Sequence, residues 1–225
     1  MERKTKFEIG EFYHLYNRGV EKRIIFKNIK DYRRFLALLY ISNSSKQIHI
    51  SNEIGHGNHI EDIFNKDRGS PIVAIGAYCL MPNHFHLLVT PLVKEGISKF
   101  MLKMQTGYSM YFNIKNDRVG SLFQGTFKSQ HIDNDRFLRY VYAYLHLNHA
   151  KLKKPNWKIQ TKNLSSDLKK FIAEYPFSSL QEYLSENYKI INPELFPVDK
   201  KYITDYGSMI DDFIEFDGDF IKDNP

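Results

Sequence analysis

Residues 81–91 read MPNHFHLLVTP, and the way this stretch folds decides the sheet. Side chains of a strand turn alternately to its two faces, so Phe85, Leu87 and Val89 share one face and His84 and His86 share the other. The two imidazoles then stand roughly 6–7 Å apart along the strand. At that separation they can lean in to share one metal ion, whereas either one alone is an ordinary core or loop-capping histidine. Immediately before them IVAIGAYCL (72–80) is a continuous apolar strand, and Met81-Pro82-Asn83 supplies a turn. The two strands read as a hairpin.

Working outward, FYHLYNR (12–18) reads as a strand ended by Gly19. Asp31 opens a helical run in which Phe35, Leu38, Leu39 and Ile41 keep helical spacing. Residues 42–70 are polar, contain Gly55, Gly57 and Gly69, and predict a long, partly mobile excursion. Helical periodicity returns over Ile97–Asn113, and FKSQHID (127–133) predicts another strand after the loop bracketed by Gly120 and Gly125. DRFLRYVYAYLHLNHAKL (135–152) predicts a helix capped by Asp133 or Asn134, with Lys151 and Lys153 in its last turns. YPFSSLQEYL (175–184) begins a short appended element. This alternation predicts an α+β fold, an antiparallel β-sheet with packed helices. It divides into a domain over 1–152 and a C-terminal extension over 153–225.

The chain has 225 residues, 42% of them hydrophobic, with 17 Phe and 15 Tyr, which supports a sizeable core rather than disorder. A single cysteine, Cys79, excludes an intramolecular disulfide and fits a reducing compartment. No secretory h-region follows Met1, and no apolar run approaches the about 20 residues of a membrane span. A cytoplasmic protein with no membrane partner is expected. Residues 199–225 hold eight acids against three lysines, a net −5, so the +6 of the whole chain leaves +11 on residues 1–198. A basic body favours a polyanion partner, and the acidic segment is expected to fold back over it.

Tyr140, Tyr144 and Asn148 follow one another at i+4 and lie along one helix face. An Asn one turn beyond a Tyr can offer an amide oxygen to an ion while the phenol points at whatever the ion holds. Imidazoles with an oxygen ligand and open positions suit Mg²⁺ or Mn²⁺ on a phosphate oxygen, and zinc lacks an obvious third imidazole or thiolate. A phenol with pKa near ~10 is a poor nucleophile unless it sits beside a cation-held phosphate. Tyr142 faces elsewhere, and Tyr140 lies about 12 Å from Asn148 by helix rise, leaving Tyr144 as the candidate nucleophile. Taken singly, such helix aromatics usually pack in cores.

Five blocks in order make the chain resemble the REP-associated tyrosine transposases, members of the HUH single-strand DNA endonucleases. They are FYHLYNRGVEKRIIF with DYRRFLALL, AYCLMPNHFHLLV, KFMLKMQTGYSMYFN with GSLFQGTFKS, DRFLRYVYAYLHLN, and YPFSSLQEYL, covering about residues 10–185. The resemblance implies a ferredoxin-like HUH fold with His84, His86 and Asn148 holding a divalent ion, Mg²⁺ or Mn²⁺. It also implies that Tyr144 attacks phosphorus in single-stranded or hairpin DNA, forming a 5′-phosphotyrosine and freeing a 3′-hydroxyl. Monomers and homodimers both fit it. Arg18, Arg23, Lys128 and Lys151 are the expected phosphate contacts. The chain departs from the family where His149-Ala150-Lys151 replaces the usual Pro-Val-Arg-Ala after Asn148, and where Thr126 stands in place of an arginine. Two other readings are a hairpin-binding protein without cleavage and a small His-x-His metallohydrolase. The first needs none of the four site residues; the second needs further ligands that the remaining histidines do not supply in any recognisable spacing.

Overall fold

The computed structural model describes residues 6–46, 59–157 and 164–215, so residues 47–58 of the 42–70 excursion and the last ten residues of the acidic tail lie outside it. Four strands, β1 (Phe12–Arg18), β2 (Val73–Met81), β3 (His84–Pro91) and β4 (Lys128–Ile132), form one sheet in the order β2-β3-β1-β4. All three pairings are antiparallel, and the expected β2–β3 hairpin is present. Every residue of β2 and β3 is buried, which accounts for the unbroken apolar run of the first.

Register assigns the faces. Tyr16 lies opposite His86 and Arg18 opposite His84, while Tyr16 also pairs with Lys128 across the other edge of β1. Cys79 and Met81 of β2 sit opposite His86 and His84. Residues directly opposite one another project to the same side. His14, Tyr16, Arg18, Cys79 and Lys128 therefore join the two histidines, and Leu15, Leu80, Phe85 and Leu87 occupy the other face.

Helices α1 (Ile29–Ser42) and α2 (Gly96–Lys115) cover the apolar face. Phe35 packs on Phe85 with ring centroids 5.0 Å apart, and Tyr108 meets Phe35 at the same distance. The first of these helices begins before Asp31 because Asn28 caps it. The Asn28 side chain accepts from the Asp31 N–H, and the Asp31 carboxylate accepts from the Asn28 N–H. Asn43 then ties the base of the excursion to the sheet, donating to the Val73 carbonyl at 2.8 Å and accepting from Ile72 and Val73 N–H.

Helix α3 (Asp135–Leu147) packs on the histidine face and starts at Asn134, whose side chain accepts from Phe137 N–H at 2.8 Å. The expected single helix over 135–152 is interrupted. Bonds run from Lys151 N–H to the Asn148 carbonyl and from Leu152 N–H to the His149 carbonyl. These i+3 bonds tighten the chain at 148–149 before the short α4 (Ala150–Lys153).

The C-terminal region adds α5 (Ser166–Glu174), α6 (Leu180–Ser185), α7 (Lys200–Thr204) and α8 (Tyr206–Glu215). The YPFSSLQEYL block is stitched along the outer edge of β2. Leu80 N–H donates to the Phe177 carbonyl, Ser179 N–H to the Tyr78 carbonyl, and the Tyr183 hydroxyl to the Gly76 carbonyl, all at 2.9–3.0 Å. This covers an edge that would otherwise invite strand addition from another chain.

Gly76 marks a break in the β2–β3 register, under Tyr142 and Phe196. A Cβ there would stand 2.6 Å from the Tyr142 hydroxyl oxygen and 2.8 Å from the Phe196 ring. Gly76→Ala is predicted to lower stability by about 1–3 kcal/mol through overpacking. Urea unfolding measures this, and an unchanged midpoint would show that Tyr142 and Phe196 yield freely.

Candidate active site

The histidine strand and α3 bring three of the four proposed catalytic side chains into direct contact. The His84 and His86 rings lie nearly perpendicular, their centroids 5.0 Å apart. The Tyr144 hydroxyl stands 3.4 Å from His86 Nε2, with the two rings perpendicular at 5.1 Å. Asn148 lies one turn further along and donates its backbone N–H to the Tyr144 carbonyl. Its side-chain Nδ2 is buried with no hydrogen-bond partner, and so is His84 Nε2.

Each imidazole is held through Nδ1. His84 Nδ1 lies 2.6 Å from Asn83 Oδ1, and the same amide donates its Nδ2 to the Lys22 carbonyl at 3.2 Å, which fixes which end faces the ring. An amide oxygen only accepts, so His84 carries its proton on Nδ1 and leaves the Nε2 lone pair free. His86 Nδ1 lies 3.0 Å from His14 Nε2. His14 therefore enters the site, although no spacing in the sequence connected it to the other two. Its one local signal is the alternation His14, Tyr16, Arg18 along β1, which shows a polar face without showing what that face meets.

Burial keeps these rings neutral at pH 7. It pushes His84 down to about 3, with Lys151 and Arg18 adding to the effect, and pushes His14 down to about 3. His86 lies well below the ordinary histidine value, first by burial and then through His84, His14 and Lys151. Neutral imidazole is the form that ligates a metal. Cys79, opposite His86, is pushed up to about 12 by burial and remains a thiol. Among the described residues no group of three His, Cys, Asp or Glu side chains could hold a metal, so any third protein donor would be of another type. Two imidazoles with free or weakly engaged Nε2 atoms fit a divalent ion that keeps open positions, and Asn148 would join them only through its amide oxygen, since its unpartnered atom, Nδ2, is a donor.

The expected phosphate contacts separate. Arg18 and Lys151 both act electrostatically on His84, which places them at the rim of the site. Lys128 lies on the same sheet face opposite Tyr16. Arg23 follows the turn after β1 and stands 4.0 Å from Glu21. The described part of the acidic segment packs on α3. Within α8, Asp212 and Glu215 pair with Arg139 and Arg136 of α3, and the Phe213 ring stacks on Tyr144 at 6.2 Å.

Residues 45–148 match the family model described as "Transposase IS200 like". No curated protein matches the chain. A solved structure of a REP-associated tyrosine transposase bound to a REP hairpin shares the fold, with a TM-score of 0.50 at 13% identity. The alignment covers 92% of this chain and 96% of that one. A family match through the middle of the chain and a shared fold over most of its length thus carry the resemblance read from the sequence. No described helix is long and apolar enough to cross a membrane.

Five buried histidines have lowered values: His14, His84 and His146 to about 3, His149 to about 4, and His86 in the same direction. The unfolded chain takes up protons on these rings below about 6.5, and the folded chain does not. The stability these rings contribute is therefore fully present above about 6.5 and is lost as pH falls toward 3–4. Urea midpoints are predicted to drop sharply between pH 7.5 and pH 5. Equal midpoints would show that the rings are protonated in the folded state.

Proposed function

We propose that this chain, with its IS200-like transposase segment at 45–148, is a transposase that cleaves and rejoins single-stranded DNA at hairpin-forming repeats. The observation that carries the reading is the Tyr144 hydroxyl 3.4 Å from His86 Nε2, beside the unpartnered His84 Nε2. Pure DNA binding requires neither a buried imidazole pair nor a phenol aimed at it. The solved structure sharing the fold holds a REP hairpin, which supports the same class of substrate here.

In this reading Tyr144 is the nucleophile. Its phenolic oxygen forms a bond to phosphorus, the bond from phosphorus to the 3′-oxygen breaks, and the strand leaves with a free 3′-hydroxyl. The phenol gives up its proton as the new ester forms and the leaving 3′-oxygen takes up one, so the step is proton-neutral. Because one phosphodiester replaces another, the bond energy is conserved and a 3′-hydroxyl can reverse the step to join strands. His84, His86 and Asn148 would hold a divalent ion, Mg²⁺ or Mn²⁺. Such an ion polarises the phosphate and neutralises charge developing on its oxygens. Arg18, Lys128 and Lys151 guide the backbone of the strand toward Tyr144, with Arg23 contacting phosphate further out.

A labelled hairpin oligonucleotide incubated with protein and Mn²⁺ tests the reading. A covalent adduct on Tyr144 is expected by mass spectrometry; a mobility shift without an adduct would favour a binding protein instead. Tyr144→Phe should retain DNA affinity and lose the adduct, while Tyr140→Phe and Tyr142→Phe keep it. An adduct on another tyrosine would overturn the assignment. Chelation, or His84→Ala with His86→Ala, should abolish cleavage, and full activity in the double variant would exclude the metal. Affinity should also fall steeply between about 50 and 200 mM salt, by roughly 10³-fold if six or more phosphates are contacted. A flat salt response would rule out the basic body as the DNA-binding surface.

A further inference from the structure

His14 lies within the site without being one of its proposed ligands. Its Nε2 is 3.0 Å from His86 Nδ1, and both side chains are 0% exposed. Its other nitrogen, Nδ1, is buried with no partner. The ring packs edge-on to Tyr144 at 5.9 Å and lies 5.1 Å from Tyr16. A phenylalanine would make those ring contacts without leaving a buried polar nitrogen unsatisfied. Packing alone gives no reason for an imidazole at this position.

A reason comes from His86. An imidazole that ligates through Nε2 must carry its proton on Nδ1, and that proton needs an acceptor. His84 has one in the Asn83 amide oxygen. For His86 the atom in place is His14 Nε2. We infer that His14 is a positioning residue that accepts the His86 Nδ1 proton, and so fixes His86 Nε2 as the ligating atom beside Tyr144. The inference rests on the metal-centre reading above. The two imidazoles are thereby set by different means: one by a neighbouring amide in its own turn, the other by a strand distant in sequence. The unpaired His14 Nδ1 is the cost of that arrangement.

The test compares the full-length protein with His14→Phe and His14→Gln by calorimetric titration with Mn²⁺ alone, with melting curves confirming that each variant is folded. Phe retains the ring and removes the acceptor; Gln removes the ring and places an amide oxygen near the position of Nε2. Mn²⁺ affinity should fall about 10–100-fold in His14→Phe, the usual effect of losing such a partner, and recover in His14→Gln. Wild-type affinity in His14→Phe overturns the inference. Equal weakening in both folded variants also overturns it, since the ring rather than the acceptor would then matter. Absence of Mn²⁺ binding in the wild type removes the metal-centre reading itself, and the inference with it.

Discussion

The β3 strand is buried on both faces, so the imidazoles at 84 and 86 are withdrawn from bulk water. Each must find a protein partner or leave an atom orphaned at a cost of about 1–3 kcal/mol. The surrounding structure answers this constraint piece by piece. The turn before β3 supplies Asn83, β1 supplies His14, and α3 supplies the Tyr144 hydroxyl. What remains unsatisfied around the pair includes His84 Nε2, the lone pair that a proposed ion would use, together with His14 Nδ1 and the Asn148 amide nitrogen. Sites of this kind hold their unspent polar atoms where chemistry uses them.

The opposite face of the sheet serves as a rigid backing. Phe35, Phe85, Tyr108 and Phe123 interlock there, so the strand carrying the histidines is fixed from behind. The outer edge of β2 is fixed in turn by backbone bonds to the segment around Phe177 and Ser179. Glu182 anchors that segment, accepting from the Tyr78 hydroxyl and from the N–H groups of Lys189 and Ile190. A site whose ligands need positioning within a fraction of an ångström is thus built on strands held at the edge and from below.

The C-terminal extension contributes to the site as well as to the scaffold. Phe213 stacks on Tyr144, Tyr140 and Trp157, and this aromatic cluster joins α8 to the helix that carries the proposed nucleophile. Asp212 and Glu215 neutralise Arg139 and Arg136 at the same junction. Two of the acids behind the charge asymmetry are therefore spent on α3. The junction combines apolar burial at its centre with ion pairs at its exposed rim, where such pairs contribute little energy but set orientation.

The sequence by itself determined what depends on local period. Alternation in HFHLLV put His84 and His86 on one face, and i+4 spacing put Tyr144 and Asn148 one turn apart. The chemistry of those residue types followed without any knowledge of packing. Helix ends were less legible because caps decide them: Asn28 moved the start of α1, and i+3 bonding at Asn148 and His149 ended α3 early. Only the tertiary structure could decide that His14 meets His86, since that contact joins residues 72 positions apart through the β1–β3 register. The docking of the YPFSSLQEYL block on β2, and of Phe213 on Tyr144, were settled in the same way. Periodicity tells a residue which face it occupies, but only long-range pairing determines what that face encounters.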